Sequence, residues 1–346
     1  MKRLYTIIGI LVAVVIIALV GNQLSQRSNS TKPTVGILQL MSHPSLNQIH
    51  KGVIAGLKEE GYVNGKNIKI DFQNAENDQS NLKSMAEKFK NENAKVTIGI
   101  TTQAVQALAN ASSKTPIVMG AVSDPVGSGI VKSLKHTGNN VTGVQHVEPV
   151  AQQAKLIRTL LPNVKTIGII YNAGDDAATG EVKLFQSLME KQGITVKTYT
   201  ITSTNDIDQV SANMASEVEA VYVPTDNTVA AGIQTLLKNT DSANVPVFGS
   251  VQSMIKSGAV ATYSISQYDM GVLTGKMAGQ ILKGKKPSAM PVQHVKTGHY
   301  YINTTAAKKF NITIPQSILN SAKKDGVIYK WVLFFPLSVK VSSGGF

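Results

Sequence analysis

Short, wholly apolar runs alternate along this chain with longer stretches whose apolar residues recur at helical spacing. In the first half the runs Thr34–Leu40, Ile68–Asn74, Val96–Ile100 and Ile117–Ala121 read as strands. Between them Ser45–Glu60, Asp78–Asn91 and Ala104–Ser112 read as helices. A strand buried on both faces shows no polar alternation, so this order predicts βαβ units around a parallel sheet. Gly61-Tyr62 and Asn64-Gly65 supply the turn that ends the first helix.

The same order then returns. Strands are predicted at Thr166–Tyr171, Thr195–Thr200, Ala220–Val223 and Val245–Ser250, with helices at Gly180–Gln192, Ile207–Ser216 and Thr228–Lys238. TVGILQL from Thr34 matches TIGIIYN from Thr166, VTIGITTQ from Val96 matches AVYVPTDN from Ala220, and TPIVMGAVSD from Thr115 matches VPVFGSVQS from Val245. A repeat of about 110–130 residues is the length of one α/β domain and far too long for a solenoid unit. Beyond it lie a strand at Val260–Gln267, a helix at Tyr268–Leu282 and an extended run at Val292–Ile302. With the passage near Val141–Pro149, these make three crossings between two lobes, a hinge that bends more easily than it twists. The expected division is 34–147 plus 264–290 for the first lobe and 148–263 plus 291–324 for the second.

Lys2 and Arg3 precede an uncharged stretch from Leu4 to Gln26, aliphatic from Ile7 to Val20. Roughly 20 apolar residues span a bilayer, and the basic flank predicts the rest of the chain on the outer face. Residues 1–31 are therefore expected to be a membrane anchor and tether. Leu19-Val20-Gly21 begins like a lipobox, but Asn22 stands where a lipidated cysteine would be, so no thioether can form there. No convincing cleavage site follows, which favours an uncleaved helix.

The chain has no cysteine, which excludes disulfide scaffolds, thiolate metal sites and a cysteine nucleophile. Net charge is +13, but its lysines and arginines are scattered rather than gathered on one element, so no nucleic-acid partner is expected. The six histidines form no H-x-x-x-H pair, and neither a G-x-S-x-G elbow nor a phosphate-binding glycine loop occurs. No enzyme, metal or cofactor is expected. Gly127-Ser128-Gly129 reads as a turn leading into a helix at Ile130–His136.

In open parallel sheets, ligands bind beyond the carboxyl ends of the strands. Those ends carry Gln39, Leu40, His43, Thr101, Thr102, Gln103, Ala121 and Asp124 in the first half. In the second they carry Tyr171, Asn172, Asp226, Asn227 and Ser250. They offer recognition rather than bond-making. Thr101–Gln103 precede a helix, whose N–H groups favour a carboxylate, and Asp124 and Asp226 suit an ammonium. An amino acid satisfies both. Each residue also has a bland role: Thr102 and Asp226 as helix caps, Asp124-Pro125 as a turn starter.

The strings AVSDPVGSGIVKSL (121–134), NVTGV (140–144), LPNVKTIGIIYN (161–172), VPTDNTVAA (223–231), PVFGS (246–250) and INTTAAKKFNITIP (302–315) stand in this order. Together they resemble the ABC-transporter substrate-binding family that includes tryptophan- and tyrosine-binding proteins, over about 32–324. The resemblance implies a type I periplasmic-binding fold that captures an aromatic amino acid (tryptophan, tyrosine or phenylalanine) for a permease and its ATPase; a monomer is expected. It implies that Asp124, Asp226 and Asn227 hold the ligand's backbone groups and that Thr101, Thr102 and Gln103 meet its carboxylate. Tyr171 and Asn172 would line the opposing lobe, and Leu40, Met41, His43, Pro44 and Tyr268 the side-chain pocket. A sugar- or nucleoside-binding protein of the same architecture is the alternative, disfavoured because its sole Trp331 lies outside the fold and Phe is scarce. A transcription regulator on these lobes would need a helix-turn-helix where the apolar segment stands. Nothing family-like continues into 325–346, an atypical tail with an apolar Trp331–Phe335 run.

Overall fold

The computed structural model describes residues 32–330, so the expected anchor at 1–31 and the Trp331–Phe335 run lie outside the described residues. The first lobe is built on strands β1 (Thr34–Gln39), β2 (Lys69–Asn74), β3 (Val96–Ile100), β4 (Ile117–Val122) and β5 (Val141–Gln145). Helices α1 (Pro44–Glu59), α2 (Gln79–Asn91) and α3 (Thr102–Ala111) alternate with them. The second lobe contains α4 (Val150–Leu160), β6 (Thr166–Asn172), α5 (Asp176–Glu190), β7 (Thr195–Ile201), α6 (Ile207–Ala215) and β8 (Ala220–Val223). It continues through α7 (Asn227–Ala231), α8 (Ile233–Ser242), β9 (Val247–Gly249), α9 (Gln252–Ser257) and β10 (Ala261–Ile265). The chain then returns to the first lobe in α10 (Gln267–Leu282) and β11 (Gln293–His294). It ends in the second with β12 (Gly298–Asn303), α11 (Thr304–Lys309), α12 (Gln316–Asp325) and β13 (Val327–Tyr329).

The first sheet is parallel throughout, in the order β11-β5-β4-β3-β1-β2. The second runs β7-β6-β8-β9, also parallel. A small sheet, β10-β12-β13, continues it through the bond from Val260 N to Val247 O at 2.7 Å. Burial on both faces explains the continuous apolar runs. In β6, Ile167 and Ile169 join one core with Phe185, while Ile170 joins the other with Met214. In β8, Tyr222 faces the first of these cores, and Val221 and Val223 the second.

Several expected elements differ. Ile130–His136 is irregular backbone with bends, not a helix: the flanking Gly129 and Gly138 adopt φ of 72° and 78°, and Asn139 Nδ2 donates to Ile130 O at 2.8 Å. The predicted helix Thr228–Lys238 breaks at Gly232, where a Cβ would stand 2.3 Å from Ile207 Cδ1. The run Val292–Ile302 divides, with β11 pairing in the first sheet and β12 in the second lobe, so 291–294 do not go with the later residues. The tail expected from 325 begins inside the fold, because β13 pairs with β12.

One packing feature places the cleft. Gly52 and Gly56 of α1 meet Gly271 and Gly275 of α10 so closely that added Cβ atoms would lie 2.1–2.2 Å from carbonyls of the opposite helix. Small-xxx-small spacing on both helices allows this backbone contact. It holds the two helix N-termini side by side at the interlobe gap.

Candidate functional site

The gap between the lobes holds a cavity of about 210 Å³. At its first-lobe side, α3 begins without a side-chain cap: Thr101 makes no capping bond, and its buried Oγ1 has no partner among the described residues. The first N–H groups of the helix therefore face the cavity free of chain acceptors, a ready site for an anion. The approach to it is strained. Thr101 has φ 93° and ψ 162°, and Ala121 at the end of the neighbouring β4 has φ 61°. Non-glycine residues in such regions cost on the order of 1–3 kcal/mol each and persist where surrounding structure enforces them. Here Thr101 N donates to Gly120 O at 3.0 Å, and Val105 packs where a Cβ on Gly99 would go.

At the second-lobe side, the equivalent strand end carries Asp226. Its Oδ1 accepts from Val229 N at 2.9 Å, capping α7, and its Oδ2 accepts from Asn172 N at 2.6 Å, tying α7 to β6. The residue is 1% exposed. Burial raises its pKa against the opposing pull of these backbone donors. Where α1 meets α9, the cavity wall is apolar: Leu46, Ile49, Ala230, Val251 and Met254.

The lobes touch across the gap. His43 Nε2 meets Asn227 Oδ1 at 3.0 Å, and the hydroxyls of Ser45 and Ser253 meet at 2.6 Å. Burial lowers the pKa of His43, with the Asn227 bond opposing, so its ring is neutral near pH 7.

Behind the cavity, the first crossing buries a polar network. His146, which lines the cavity, bonds Glu148 at 2.8 Å. Gln153 Nε2 donates to Glu148 at 3.0 Å and to Ser250 O at 3.0 Å, while Tyr222 Oη donates to Gln153 Oε1 at 2.6 Å. Glu181 accepts from Thr225 N at 2.8 Å. Its pKa is pushed up to about 7 by burial and then by the charge of Glu148. Burial acts to lower the pKa of His146, but the Glu148 bond and charge outweigh it and hold it above the ordinary value.

Of the predicted site residues, His43, Thr101, Thr102, Gln103, Ala121, Asp226 and Asn227 line the cavity. The others stand outside its lining. Gln39 is buried behind α1, its Nε2 on Met41 O and Asn47 Oδ1, and Leu40 is core. Tyr171 packs on the second-lobe core. Asn172 and Ser250 support lining residues, the first through Asp226 and the second by accepting from Thr225 Oγ1 at 3.2 Å. Asp124 is exposed and its Oδ1 accepts from Gly127 N at 2.8 Å, closing its own turn. Tyr268 is 42% exposed. Sequence reasoning missed Leu46 and Ile49 on α1, Gln106 on α3, Ala230 on α7, Met254 on α9 and Gln267 on α10. Most of these lie within about one turn of a helix start already placed at the cleft, and i+3/i+4 spacing would have found them.

Among the described residues no cluster of His, Asp or Glu could hold a metal ion, and no helix is long and apolar enough to cross a membrane. The family model for ABC transporter substrate binding proteins matches residues 34–325. The tyrosine-binding protein of Clostridioides difficile (strain R20291) is 33% identical over 298 residues, covering 84% of this chain and 86% of that protein. The crystal structure of a Streptococcus pneumoniae ABC domain in complex with L-Trp is 43% identical, with a TM-score of 0.81 over 84% of this chain and 98% of its own. The ligand-free, open structure of a Clostridium difficile substrate-binding protein with adhesive properties is 33% identical, with a TM-score of 0.65 over 82% and 96%. Two α/β lobes meeting over a polar and apolar cavity, together with this match over nearly all described residues, make the chain a member of the ABC transporter substrate-binding protein family, whose members bind substrate and are not enzymes.

Proposed function

We propose that the chain captures an aromatic amino acid, tryptophan or tyrosine, in the interlobe cavity outside the cell and delivers it to the permease and ATPase of an ABC importer. It works as a monomer, tethered to the membrane by its N-terminal apolar segment, whose basic flank and aliphatic centre suit an uncleaved anchor. The observation that carries the reading is the composition of the cavity. An uncapped helix start at Thr101–Gln103 suits a carboxylate, buried Asp226 supplies negative charge, and Leu46, Ile49, Val251 and Met254 suit a ring. The ligands named for the relatives, tyrosine and L-Trp, have this chemistry. Among the described lining residues there is no Phe, Tyr or Trp on which a sugar would stack, which disfavours the sugar alternative.

A thermal-shift screen of the purified chain against amino acids, sugars and nucleosides tests it. Tryptophan or tyrosine at a hundred times its dissociation constant should stabilise by about 2.7 kcal/mol. A shift with a sugar or nucleoside and none with any aromatic amino acid would refute the assignment.

A further inference from the structure

Among the described residues, three buried polar atoms of cavity-lining side chains have no partner: Thr101 Oγ1, Gln267 Nε2 and His43 Nδ1. The first two fit the carboxylate end already described, since Thr101 opens α3 and an amide nitrogen can only donate. His43 is different. It is 5% exposed and sits at the start of α1, followed along the same helix by the apolar lining residues Leu46 and Ile49. Its Nε2 is held at 3.0 Å by Asn227 Oδ1 from the other lobe.

An amide oxygen has no hydrogen to give, so Nε2 carries the proton. In the neutral ring Nδ1 is then an unshared lone pair, buried and unmatched. A buried acceptor without a donor is costly to leave, and a ring N–H or O–H entering an apolar pocket needs an acceptor for the same reason. The Ser45 and Ser253 hydroxyls bond each other at 2.6 Å and so each has a partner, whereas Nδ1 has none among the described residues.

We propose that His43 reads the donor on the ligand's ring: Nδ1 accepts from the indole N–H or phenol O–H, and Asn227 sets the required tautomer only when the lobes close. This inference rests on the aromatic amino acid reading above and deepens it. The residue selects tryptophan and tyrosine over rings of the same size that lack a donor, and it links that selection to closure.

Calorimetry on the wild-type chain with four ligands tests it: L-tryptophan, 3-benzothienyl-L-alanine (the same shape with sulfur in place of N–H), L-tyrosine and L-phenylalanine. Each donor-bearing ligand should bind at least about tenfold more tightly than its donor-free counterpart. In His43→Leu both preferences should fall to near one. In the liganded wild-type chain, imidazole ¹⁵N shifts should show a bare Nδ1 and a protonated Nε2, a readout that needs no variant. Equal affinities within each pair in the wild type, equal losses for all four ligands in His43→Leu, or a protonated Nδ1 would each overturn the proposal while leaving aromatic capture intact. Binding of none of the four would remove the aromatic reading itself.

Discussion

The two lobes descend from the same pattern yet present opposite chemistry at the same point. Val96–Gln103 and Ala220–Asn227 align as strand followed by helix. In the first lobe the helix starts uncapped, on a residue held at φ 93°. In the second it starts on Asp226, whose carboxylate caps it at 2.9 Å. One lobe therefore leaves its N–H groups for an incoming anion, and the other has already filled its own with a fixed negative charge. Duplication has kept the strand-to-helix scaffold here, while the strand-end loops have diverged in which residue stands at the helix cap. Together the two ends match a zwitterion.

The largest expected break of this contrast is Asp226→Ala. On the proposed reading it removes the charge that would face the ammonium and should weaken binding by about 2–4 kcal/mol by calorimetry. It also removes a cap, so the unfolding free energy should fall by about 1–2 kcal/mol in denaturant titration. Gly271→Ala attacks the helix seam instead. A Cβ there would lie 2.1 Å from Ile49 O, and overpacking of this kind costs about 1–3 kcal/mol of stability. Affinity should drop with it, because the seam positions Gln267 and the start of α1.

Thr101→Asp makes the first lobe resemble the second. Its carboxylate would occupy the free helix start, and affinity for the amino acid should fall at least about tenfold. Thr101→Gly instead relieves the positive φ and should raise stability by up to about 1 kcal/mol.

A pH-dependent effect is expected behind the cavity, beside the first crossing. Glu181 has its pKa raised to about 7 from an ordinary 4.5, so the folded chain holds a proton there that the unfolded chain releases as pH rises above 4.5. The stability this contributes is fully present below 4.5 and is lost as pH rises through about 7. Glu181→Gln should thus gain thermal midpoint over the wild type progressively from pH 5 to pH 8. A constant difference across that range would show that Glu181 keeps an ordinary pKa.

Much of the architecture was legible in the chain because both-face burial writes strands as continuous apolar runs, and because the repeat doubles every signal. The fold failed to follow the sequence reading where local patterns mislead. Asp124-Pro125 carries a turn chemistry that Gly127 N completes, so its carboxylate closes a loop instead of facing the cavity. Ile130–His136 has helical spacing but is irregular backbone flanked by glycines at positive φ. Strand-end reasoning pointed to Thr101, Thr102 and Asp226, whose loops line the gap. It could not find His146, Glu148 and Glu181, which meet only when separate segments pack at the first crossing. Nor could it separate lining from supporting residues: Gln39, Asn172 and Ser250 sit one layer behind the cavity.

On the proposed reading the two lobes divide the charges of one zwitterion between them. The most direct measurement compares L-tryptophan with tryptamine, which lacks the carboxylate, and indole-3-propionate, which lacks the ammonium, by calorimetry on the wild-type chain. Removing either charge should weaken binding at least about tenfold, since each loss leaves a buried partner unmatched. Indole-3-propionate or tryptamine binding as tightly as tryptophan would contradict it.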